Sequence, residues 1–374
     1  MKICLLLPSF LPDVGGLEKA ADRLAGELTA RRHTVVILTR APDAPQPVID
    51  RPFPIRHYAK PASPTWWPHS IKRSLRKVHA EFDFEIVCAY HPYPPGYCAV
   101  RFARRCGIPT VISCRGGDID ERSRYLRRWI SRRRTIWSLR HADAVHVLST
   151  DLGELVSALT GGQVRSHVIH NGVDLLSSRP VGGLPAEVES LRGRPFILTL
   201  GRLRRFKGIH VLLDALAILL RNHVELPLLV IAGDGPERDS LEGQARKAGL
   251  TGQIRLLGEV LGQAKAWLLA NCLFFVHPSL GGEGMPNSVL EAMSYGKPVV
   301  GTRIGGVKDL ITDDGTGLLV DPGDPAALAW GIQQMLESDP ERYGHAAIRI
   351  AQAHSWDCIV REYLHLFESL AKAR

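Results

Sequence analysis

Two glutamates lie on either side of a glycine-rich turn in the segment HPSLGGEGMPNSVLEAMSYGKPVVGT, residues 277–302. Glu283 and Glu291 are separated by seven residues. The apolar residues before the turn predict a buried strand, and SVLEAMSYG after it predicts a helix. Backbone N–H groups at such a helix start have no partner within the helix and bind phosphate oxygens well. The turn therefore has the chemistry to hold an anionic ligand.

The same spacing also fits purely structural roles. If the helix begins at Ser288, then Ser288 and Glu291 match the S-x-x-E capping box. Asn287 has a similar alternative as a helix cap, and Glu283 would then be an exposed loop carboxylate. The spacing alone does not separate these interpretations from a binding role.

A basic loop follows another predicted strand, in FILTLGRLRRFKG. Its cations, which precede Gly208, are Arg202, Arg204, Arg205 and Lys207. Arginine grips a phosphate by two parallel bonds, and lysine adds a mobile point charge. A basic loop alone is more often a solvated surface. A basic loop and a glycine-rich helix start, both at strand ends of one domain, predict a diphosphate site.

Length and composition indicate two ordinary globular domains. The chain has 374 residues, of which 45% are hydrophobic and 23% charged. No apolar run approaches the roughly 18 residues that cross a bilayer. The apolar core of MKICLLLPSFLP is too short for a signal peptide, so we expect a cytoplasmic protein. The seven cysteines include no CxxC pair. Those in or beside apolar strand-like runs, Cys4, Cys88, Cys114 and Cys272, are expected to be buried thiols rather than disulfides or metal ligands.

The basic excess lies entirely in the first half of the chain. Residues 1–180 hold 27 Lys and Arg against 16 Asp and Glu, a charge of +11, whereas residues 181–374 hold 20 against 22, a charge of −2. This asymmetry predicts that the first half meets an anionic surface or ligand.

Continuous apolar strands alternate with helical segments in both halves, which predicts parallel sheets covered on both faces. The fold class is therefore α/β, with two doubly wound, Rossmann-like domains. We place the N-terminal domain at residues 1–175, a linker rich in Ser, Pro and Gly at 176–195, and the C-terminal domain at 196–352. An amphipathic helix at 353–374 would cross back to the first domain. Two such domains facing one another would bind ligands in the cleft beyond their strand ends.

The second half resembles the retaining nucleotide-sugar glycosyltransferases of family 4, which have the GT-B fold. The matching segments are NGVD, GRLRRFKG, AGDGPERDSL, the two-glutamate segment quoted above, which carries the family's E-x7-E element, GGVKDLI and GTGLLVDPGD. In the first half, PDVGGLEKAADRLAGEL also resembles the family. The resemblance covers most of residues 171–325 and implies the GT-B architecture.

The resemblance implies a role for each matching position. Arg202 and Lys207 would hold the donor diphosphate, Glu283 the donor sugar, and Glu291 the ribose hydroxyls. The residues that would orient the sugar through their backbone are Gly284, Met285, Pro286 and Asn287. Gly16, after Gly15, would let the first domain approach the phosphates, although a plain strand–helix turn explains it equally well.

Other strand ends of the first half supply candidate sugar or acceptor contacts. His91 and Arg115 each end a predicted strand, and the family often has histidine where Arg115 stands. Asp118 is a further candidate, although capping a following helix is an alternative role.

The reaction implied by the resemblance is transfer of a sugar to an acceptor hydroxyl with retention of configuration. It implies front-face attack, with a donor phosphate oxygen accepting the acceptor's proton. No cofactor and no metal are expected, because the cations meet the diphosphate charge. A sugar-nucleotide epimerase of the same architecture is an alternative, but it would need its own acid and base beside the sugar. A nucleic-acid-binding protein is a second alternative, and it lacks aromatic stacking platforms.

A final basic segment, RSRYLRRWISRRRTIWSLR at residues 122–140, has eight arginines and no acidic residue. Drawn as one helix, it has an apolar face of Tyr125, Leu126, Trp129, Ile130, Ile136 and Trp137. We expect this helix to rest on an anionic membrane, with Trp66, Trp67 and the run IKRSLRK as a second contact. The enzyme would then be peripheral on the cytosolic membrane face, with a lipid-linked acceptor. The alternative is that the apolar face packs on the first domain and the arginines are merely solvated.

Overall fold

The structure is a computed structural model that describes residues 1–12, 15–43, 50–59, 67–120, 123–175, 183–311 and 315–372. Trp66, Arg122 and residues 176–182 of the predicted linker lie outside the described residues. The chain forms two compact units. The first comprises Met1–Gly172, Glu283–Met285 and Trp356–Arg374, and the second comprises Val173–Gly282 and Pro286–Ser355.

Each unit is built on one parallel sheet. The strands are β1 (Lys2–Leu6), β2 (Thr34–Arg40), β3 (Ile55–Tyr58), β4 (Ile86–Tyr90), β5 (Thr110–Cys114), β6 (Ala144–Val147), β7 (Ser166–Val168), β8 (Phe196–Leu200), β9 (Leu228–Ala232), β10 (Ile254–Gly258), β11 (Phe275–His277), β12 (Val299–Thr302) and β13 (Gly317–Val320). In the first unit the order is β3-β2-β1-β4-β5-β6-β7, and in the second it is β10-β9-β8-β11-β12-β13.

Helices follow most strands, as doubly wound sheets require. They are α1 (Gly16–Ala30), α2 (Trp67–Phe82), α3 (Tyr97–Cys106), α4 (Trp129–His141), α5 (Thr150–Thr160), α6 (Ala186–Glu189), α7 (Ile209–Arg221), α8 (Arg238–Lys247), α9 (Gly262–Asn271), α10 (Asn287–Ser294), α11 (Val307–Leu310), α12 (Pro325–Glu337), α13 (Pro340–Ala353) and α14 (Trp356–Lys372). No helix within the described ranges combines the length and the apolar character needed to cross a bilayer.

The first sheet is covered on both faces, because alternate residues of its strands enter two different cores. In β1, Ile3 and Leu5 pack in the core that includes the buried residues of α1 and α14. Cys4 and Leu6 pack on the opposite face with those of α2 and α3. The apolar residues of α14 recur at helical spacing, and Ile359, Val360 and Tyr363 are buried within the first unit.

The strands of the second sheet are buried in the same way. Its central strand, β8, is buried along its whole length. The apolar helix α7 buries residues from Ile209 to Leu219 in a core shared with β9 and α12. Strands that are apolar on both faces are typical of parallel sheets between two helix layers. The predicted α/β class with two Rossmann-like sheets is therefore confirmed.

The structure corrects the prediction of one continuous helix over residues 122–140. The helix begins at Trp129, and the described residues before it form turns. Its fully buried residues are Thr135, Ser138 and Leu139, whereas Ile136 and Trp137 of the predicted apolar face are only half-buried. Trp129 is instead 68% exposed and Ile130 is 46% exposed.

Candidate active site

Three loops of the second unit meet beyond the carboxyl ends of β9, β8 and β11, which are neighbours in the sheet. The Leu203 N–H donates to the Asp234 carbonyl at 2.9 Å, which ties the loop after β8 to the loop after β9. The Leu280 N–H donates to the Phe206 carbonyl at 2.7 Å, which ties the same loop to the one after β11. The basic loop and the start of the glycine-rich turn are therefore parts of one local structure.

Gly208 permits this close approach. Its φ of 70° lies in the left-handed region, and an added Cβ would be 1.8 Å from the Pro278 carbonyl oxygen. No other residue type fits here, because both the backbone conformation and the space exclude a side chain. The backbone that carries Lys207 is thereby held directly against the end of β11.

The two predicted diphosphate-binding cations differ in exposure. Arg202 is exposed and follows β8 directly, whereas Lys207 is half-buried at the end of a short 3₁₀ turn, Arg205–Lys207. The Lys207 ammonium lies 5.7 Å from the centroid of the Phe206 ring, a cation–π distance. The structure thus brings both cations to the carboxyl end of one strand, where α/β proteins bind ligands.

Helix α10 begins at Asn287, and Pro286 occupies the cap position without a side-chain hydrogen bond. The capping-box interpretation of Glu291 is therefore wrong, since Ser288 is not the cap. Glu291 instead forms a salt bridge with Lys265 of α9, with 2.6 Å between Lys265 Nζ and Glu291 Oε2. Lys265 could not be predicted from the sequence, because nothing in the spacing links it to a residue 26 positions later.

The short segment Glu283–Met285 is grouped with the first unit. Glu283 forms an isolated antiparallel bridge with Gly116. Gly284 is buried, and an added Cβ would lie 2.6 Å from the Arg115 carbonyl oxygen. The Asn171 side-chain amide donates to the Met285 carbonyl at 3.3 Å. The backbone on both sides of Gly284 is therefore fixed by neighbours within this unit.

Arg115 belongs to a polar network beneath this segment. Its guanidinium donates to Asn171 Oδ1 at 2.9 Å and lies 5.1 Å from the centroid of the Tyr90 ring. Burial raises the pKa values of the Tyr90 and Tyr363 hydroxyls well above the ordinary tyrosine value, although the positive charge of Arg115 opposes this. Asn171 belongs to the NGVD segment, and that motif was the only sequence signal for its place in this network.

Asp118 and His91 are also placed within the first unit. Asp118 is 5% exposed, and its Oδ1 accepts the Arg115 N–H at 2.9 Å. Its Oδ2 has no hydrogen-bond partner in the described parts of the chain. Residues 116–120 form a bridge and turns, so the helix-cap alternative for Asp118 is wrong. His91 follows the last residue of β4 and has a φ of 74°. Burial lowers its pKa, which favours the neutral imidazole.

Gly16 is the first residue of α1, with Gly15 at the cap position. Sequence analysis missed the nearby Glu18, which is 9% exposed and accepts a hydrogen bond of 2.5 Å from the Ser9 hydroxyl. A Cβ at Gly15 would lie 2.5 Å from Glu18 Oε2, so this glycine makes room for the carboxylate. Among the described residues, no three His, Cys, Asp or Glu side chains are grouped as metal ligands.

Two protein families match different parts of the chain. Residues 14–176 match "Glycosyltransferase Family 4", and residues 185–351 match "Glycosyl transferases group 1". A GDP-mannose-dependent alpha-mannosyltransferase of Mycolicibacterium smegmatis is 30% identical over 394 residues, which cover 100% of this chain and 99% of the relative. A phosphatidyl-myo-inositol mannosyltransferase of Mycobacterium leprae is 28% identical, with 99% of this chain and 97% of the relative covered.

Solved structures agree on the fold. An Anabaena protein crystallised with UDP matches with a TM-score of 0.78 at 22% identity, over 99% of this chain and 100% of that one. Sucrose-phosphate synthase of Thermosynechococcus elongatus matches with a TM-score of 0.80 at 20% identity, over 100% of both chains. The chain forms two parallel sheets, both family descriptions match it, and one relative aligns along its whole length. The chain therefore belongs to the retaining glycosyltransferases of family 4, which have the GT-B fold.

Proposed function

We propose that this glycosyltransferase moves a hexose from a nucleoside diphosphate sugar to a hydroxyl of a lipid-linked acceptor at the cytosolic membrane face. One observation carries the donor half of the proposal: the loop with Arg202 and Lys207 is hydrogen-bonded to the loop after β11, which leads to the start of α10. GDP-mannose is the first donor to test, since the M. smegmatis relative that aligns along the whole chain depends on it.

The cations and the helix start would stabilise the leaving group. As the bond between the anomeric carbon and the diphosphate breaks, negative charge accumulates on the phosphate oxygens. Arg202 offers paired N–H donors, Lys207 a point charge, and α10 the partial positive charge of its N-terminus. Donors that are already oriented toward developing charge are typically the largest contributors to rate.

The two glutamates would hold the sugar and the ribose. Glu283 is assigned to a hydroxyl of the donor sugar, with the backbone of Gly284–Asn287 orienting the ring. Glu291 is assigned to the ribose hydroxyls, and its salt bridge to Lys265 supports this role by limiting the rotamers of the carboxylate. Gly16, at the start of α1, would let backbone approach the phosphates.

In the proposed reaction one bond to the anomeric carbon forms as another breaks. The acceptor oxygen forms a bond to the anomeric carbon on the face from which the diphosphate leaves, through a transition state that resembles an oxocarbenium ion. The acceptor's proton passes to a phosphate oxygen of the departing nucleotide. His91, Arg115 and Asp118 are proposed contacts for the sugar or acceptor.

Surface chemistry supports the acceptor half of the proposal. Trp129 and Ile130 are exposed at the start of α4, beside the exposed Arg128, Arg132 and Arg133. Exposed aromatic and aliphatic side chains among cations are typical of proteins that rest on anionic membranes, where each cation contributes about 1 kcal/mol. The M. leprae relative is named for a phosphatidyl-inositol acceptor.

The test is a panel of GDP-, UDP- and ADP-linked hexoses, first for binding by thermal shift and then for transfer. A ligand that binds only the folded state raises the melting temperature, and we expect the largest rise with GDP-mannose. Radiolabelled hexose from that donor should enter a solvent-extractable lipid when membranes are added. Conversion of the donor to an isomeric sugar nucleotide without transfer would instead support an epimerase. Absence of any nucleotide-dependent shift would overturn the donor site.

A further inference from the structure

Three cations converge on one tyrosine on the surface of the first unit. The Lys72 ammonium and the guanidinium carbons of Arg101 and Arg134 lie 5.6, 5.6 and 5.4 Å from the centroid of the Tyr97 ring. They come from three different helices, α2, α3 and α4. All three charges therefore lie within 5.6 Å of a single point.

Hydrogen bonds hold two of these cations in place. Arg101 Nη1 donates to the Tyr97 hydroxyl at 2.9 Å, and Arg134 Nη1 donates to the Tyr93 hydroxyl at 3.1 Å. The Trp137 ring packs edge-on against Tyr97, with 5.5 Å between the ring centroids. The arrangement is thus a built cluster rather than three freely moving surface side chains.

The cluster concentrates three positive charges around one aromatic ring. None of the three cations forms a salt bridge in the parts of the chain that the structure describes. Each lies within 5.6 Å of the same ring centroid, so any two are at most about 11 Å apart. At that distance physiological salt, with a Debye length of about 8 Å, screens their mutual repulsion only in part. Beneath them, burial raises the pKa of the Cys98 thiol to about 12, while Lys72, Arg134 and Arg101 each oppose that rise. A tyrosine ring attracts cations but does not cancel their charge.

We propose that Lys72, Arg101 and Arg134 around Tyr97 form a phosphate-binding cluster that takes the phosphate group of a lipid at the membrane surface. This site is distinct from the diphosphate-binding residues Arg202 and Lys207. Each arginine has N–H donors beyond the one bonded to tyrosine, and the ammonium of Lys72 adds donors of its own. A phosphate with several oxygens satisfies such a set of convergent donors, as arginine clusters in other phosphate sites do.

The surroundings favour a lipid as the source of the phosphate. Arg134 lies on the same helix as Trp129 and Ile130, which are 68% and 46% exposed and can enter the headgroup region while the cluster grips a phosphate. The inference deepens the proposed function and rests on its assumption that the enzyme works at a membrane.

The test compares two triple variants with the same change in net charge. The cluster variant carries Lys72→Met, Arg101→Gln and Arg134→Gln. The matched control carries Arg73→Gln, Arg104→Gln and Arg105→Gln, three exposed arginines on α2 and α3. Both are titrated with phosphatidylcholine vesicles that contain either phosphatidic acid or, at equal surface charge, oleate. Inorganic phosphate and glycerol 3-phosphate serve as soluble competitors, and melting temperatures confirm folding.

We expect the cluster variant to bind phosphatidic acid vesicles about tenfold more weakly than the control, which corresponds to the loss of charge-assisted hydrogen bonds. On oleate vesicles the two variants should weaken equally. Equal loss on both vesicle types would overturn the proposal, because the cluster would then contribute only general charge. If soluble phosphate stabilises the wild type and not the cluster variant, yet both variants bind phosphatidic acid vesicles alike, the site takes free phosphate and the lipid assignment is wrong.

Two further measurements separate this proposal from the proposed function. Lys207→Ala should slow sugar transfer by about 10²–10³ while leaving binding to phosphatidic acid vesicles unchanged. The cluster variant should keep the thermal shift that GDP produces in the wild type. Tyr97→Leu should weaken vesicle binding as the triple variant does, whereas Tyr97→Phe, which keeps the ring, should retain most of it. Full binding by Tyr97→Leu would show that the ring does not organise the cations.

Discussion

Lys265 and Glu291 form a salt bridge of 2.6 Å that connects α9 to α10. Glu291 is the second glutamate of the E-x7-E element, and both side chains are only partly exposed, at 25% and 32%. One carboxylate oxygen is thus engaged by a neighbour within the same unit. A carboxylate restrained in this way needs less ordering when it accepts hydrogen bonds from a ligand.

Replacing Lys265 with methionine should therefore weaken nucleotide binding without affecting chemistry. Partly exposed ion pairs contribute at most about 1 kcal/mol, so we expect Kd for the donor nucleotide to rise about two- to fivefold. Calorimetry with the nucleoside diphosphate measures this directly, and kcat should stay near the wild-type value. Lys247→Met, at an exposed position of α8, is the control. A fall in kcat with unchanged Kd would contradict the positioning role.

Lys207→Ala and Glu283→Ala should each lose about 10²–10³ in kcat while remaining folded. Lys207 is proposed to donate to the charge that develops on the diphosphate, and loss of such a group typically has this effect. Glu283 is proposed to accept a hydrogen bond from a sugar hydroxyl, and misplacing the sugar when that contact is lost can cost about 10² in rate. Transfer assays at saturating donor measure it. Arg205→Ala removes an exposed cation from the same loop as Lys207 and should keep activity within about fivefold. Near-normal turnover in both site variants would show that the site is misassigned.

Gly208→Ala should destabilise the loop after β8 more than an alanine substitution at another glycine with a left-handed backbone does. Gly249 has nearly the same φ, 71° against 70°, but its added Cβ would meet nothing within 4 Å. Gly249→Ala therefore reports only backbone strain, of order 1–3 kcal/mol. Gly208→Ala adds a clash with the Pro278 carbonyl oxygen and should cost at least about 2 kcal/mol more, with loss of nucleotide binding. Equal unfolding midpoints in urea for the two variants would refute this.

His146 should make the protein sensitive to mild acid. Burial lowers its pKa to about 3, with a further contribution from the positive charge of Arg115. Between the ordinary histidine pKa near 6.5 and that value, the unfolded chain binds a proton at this position that the folded chain does not. The free energy of unfolding should therefore fall as pH falls, by about 1.4 kcal/mol per pH unit from this group.

The measurement is urea unfolding at pH 7, 6 and 5 for the wild type, His146→Gln and the exposed-site control His345→Gln. His146→Gln loses packing and hydrogen bonds to Ser113 and Ile169, so it should be less stable at every pH. Its stability should nevertheless depend less on pH than that of the other two proteins. Three parallel pH profiles would show that another group causes the acid sensitivity.

Sugar transfer should not require a divalent metal. Arg202, Lys207 and the start of α10 are proposed to meet the charge of the diphosphate, which is the task a metal performs in other transferases. Activity in excess EDTA should equal activity in magnesium within about twofold, an order-of-magnitude expectation for a site whose charge is already compensated. A large loss that magnesium restores would contradict the proposed charge balance.

Local sequence determined most of the fold. Runs of buried aliphatic residues such as FILTL and LLVIA are apolar on both faces, and only a parallel sheet covered by helices buries them fully. Strand β3 is hard to predict because it is a short edge strand, IRHY, with mixed exposure and no apolar run. Helix α2 is hard to predict because its basic residues mask an apolar face of Ile71, Leu75 and Val78 at helical spacing.

The candidate site also has one part that the sequence predicts and another that depends on the fold. The charged residues at the strand ends could be predicted from the sequence, because backbone turns and charge chemistry are local properties. They are Arg202, Lys207 and the two glutamates. Side-chain contacts between distant positions could not be predicted, because they depend on which strands and helices become neighbours. Lys265 with Glu291, Arg115 with Asn171, and the cations around Tyr97 exist only because the fold brings separate helices and loops to one place. Sequence by itself determined the chemistry that each segment carries, and tertiary packing decided which of those groups act together.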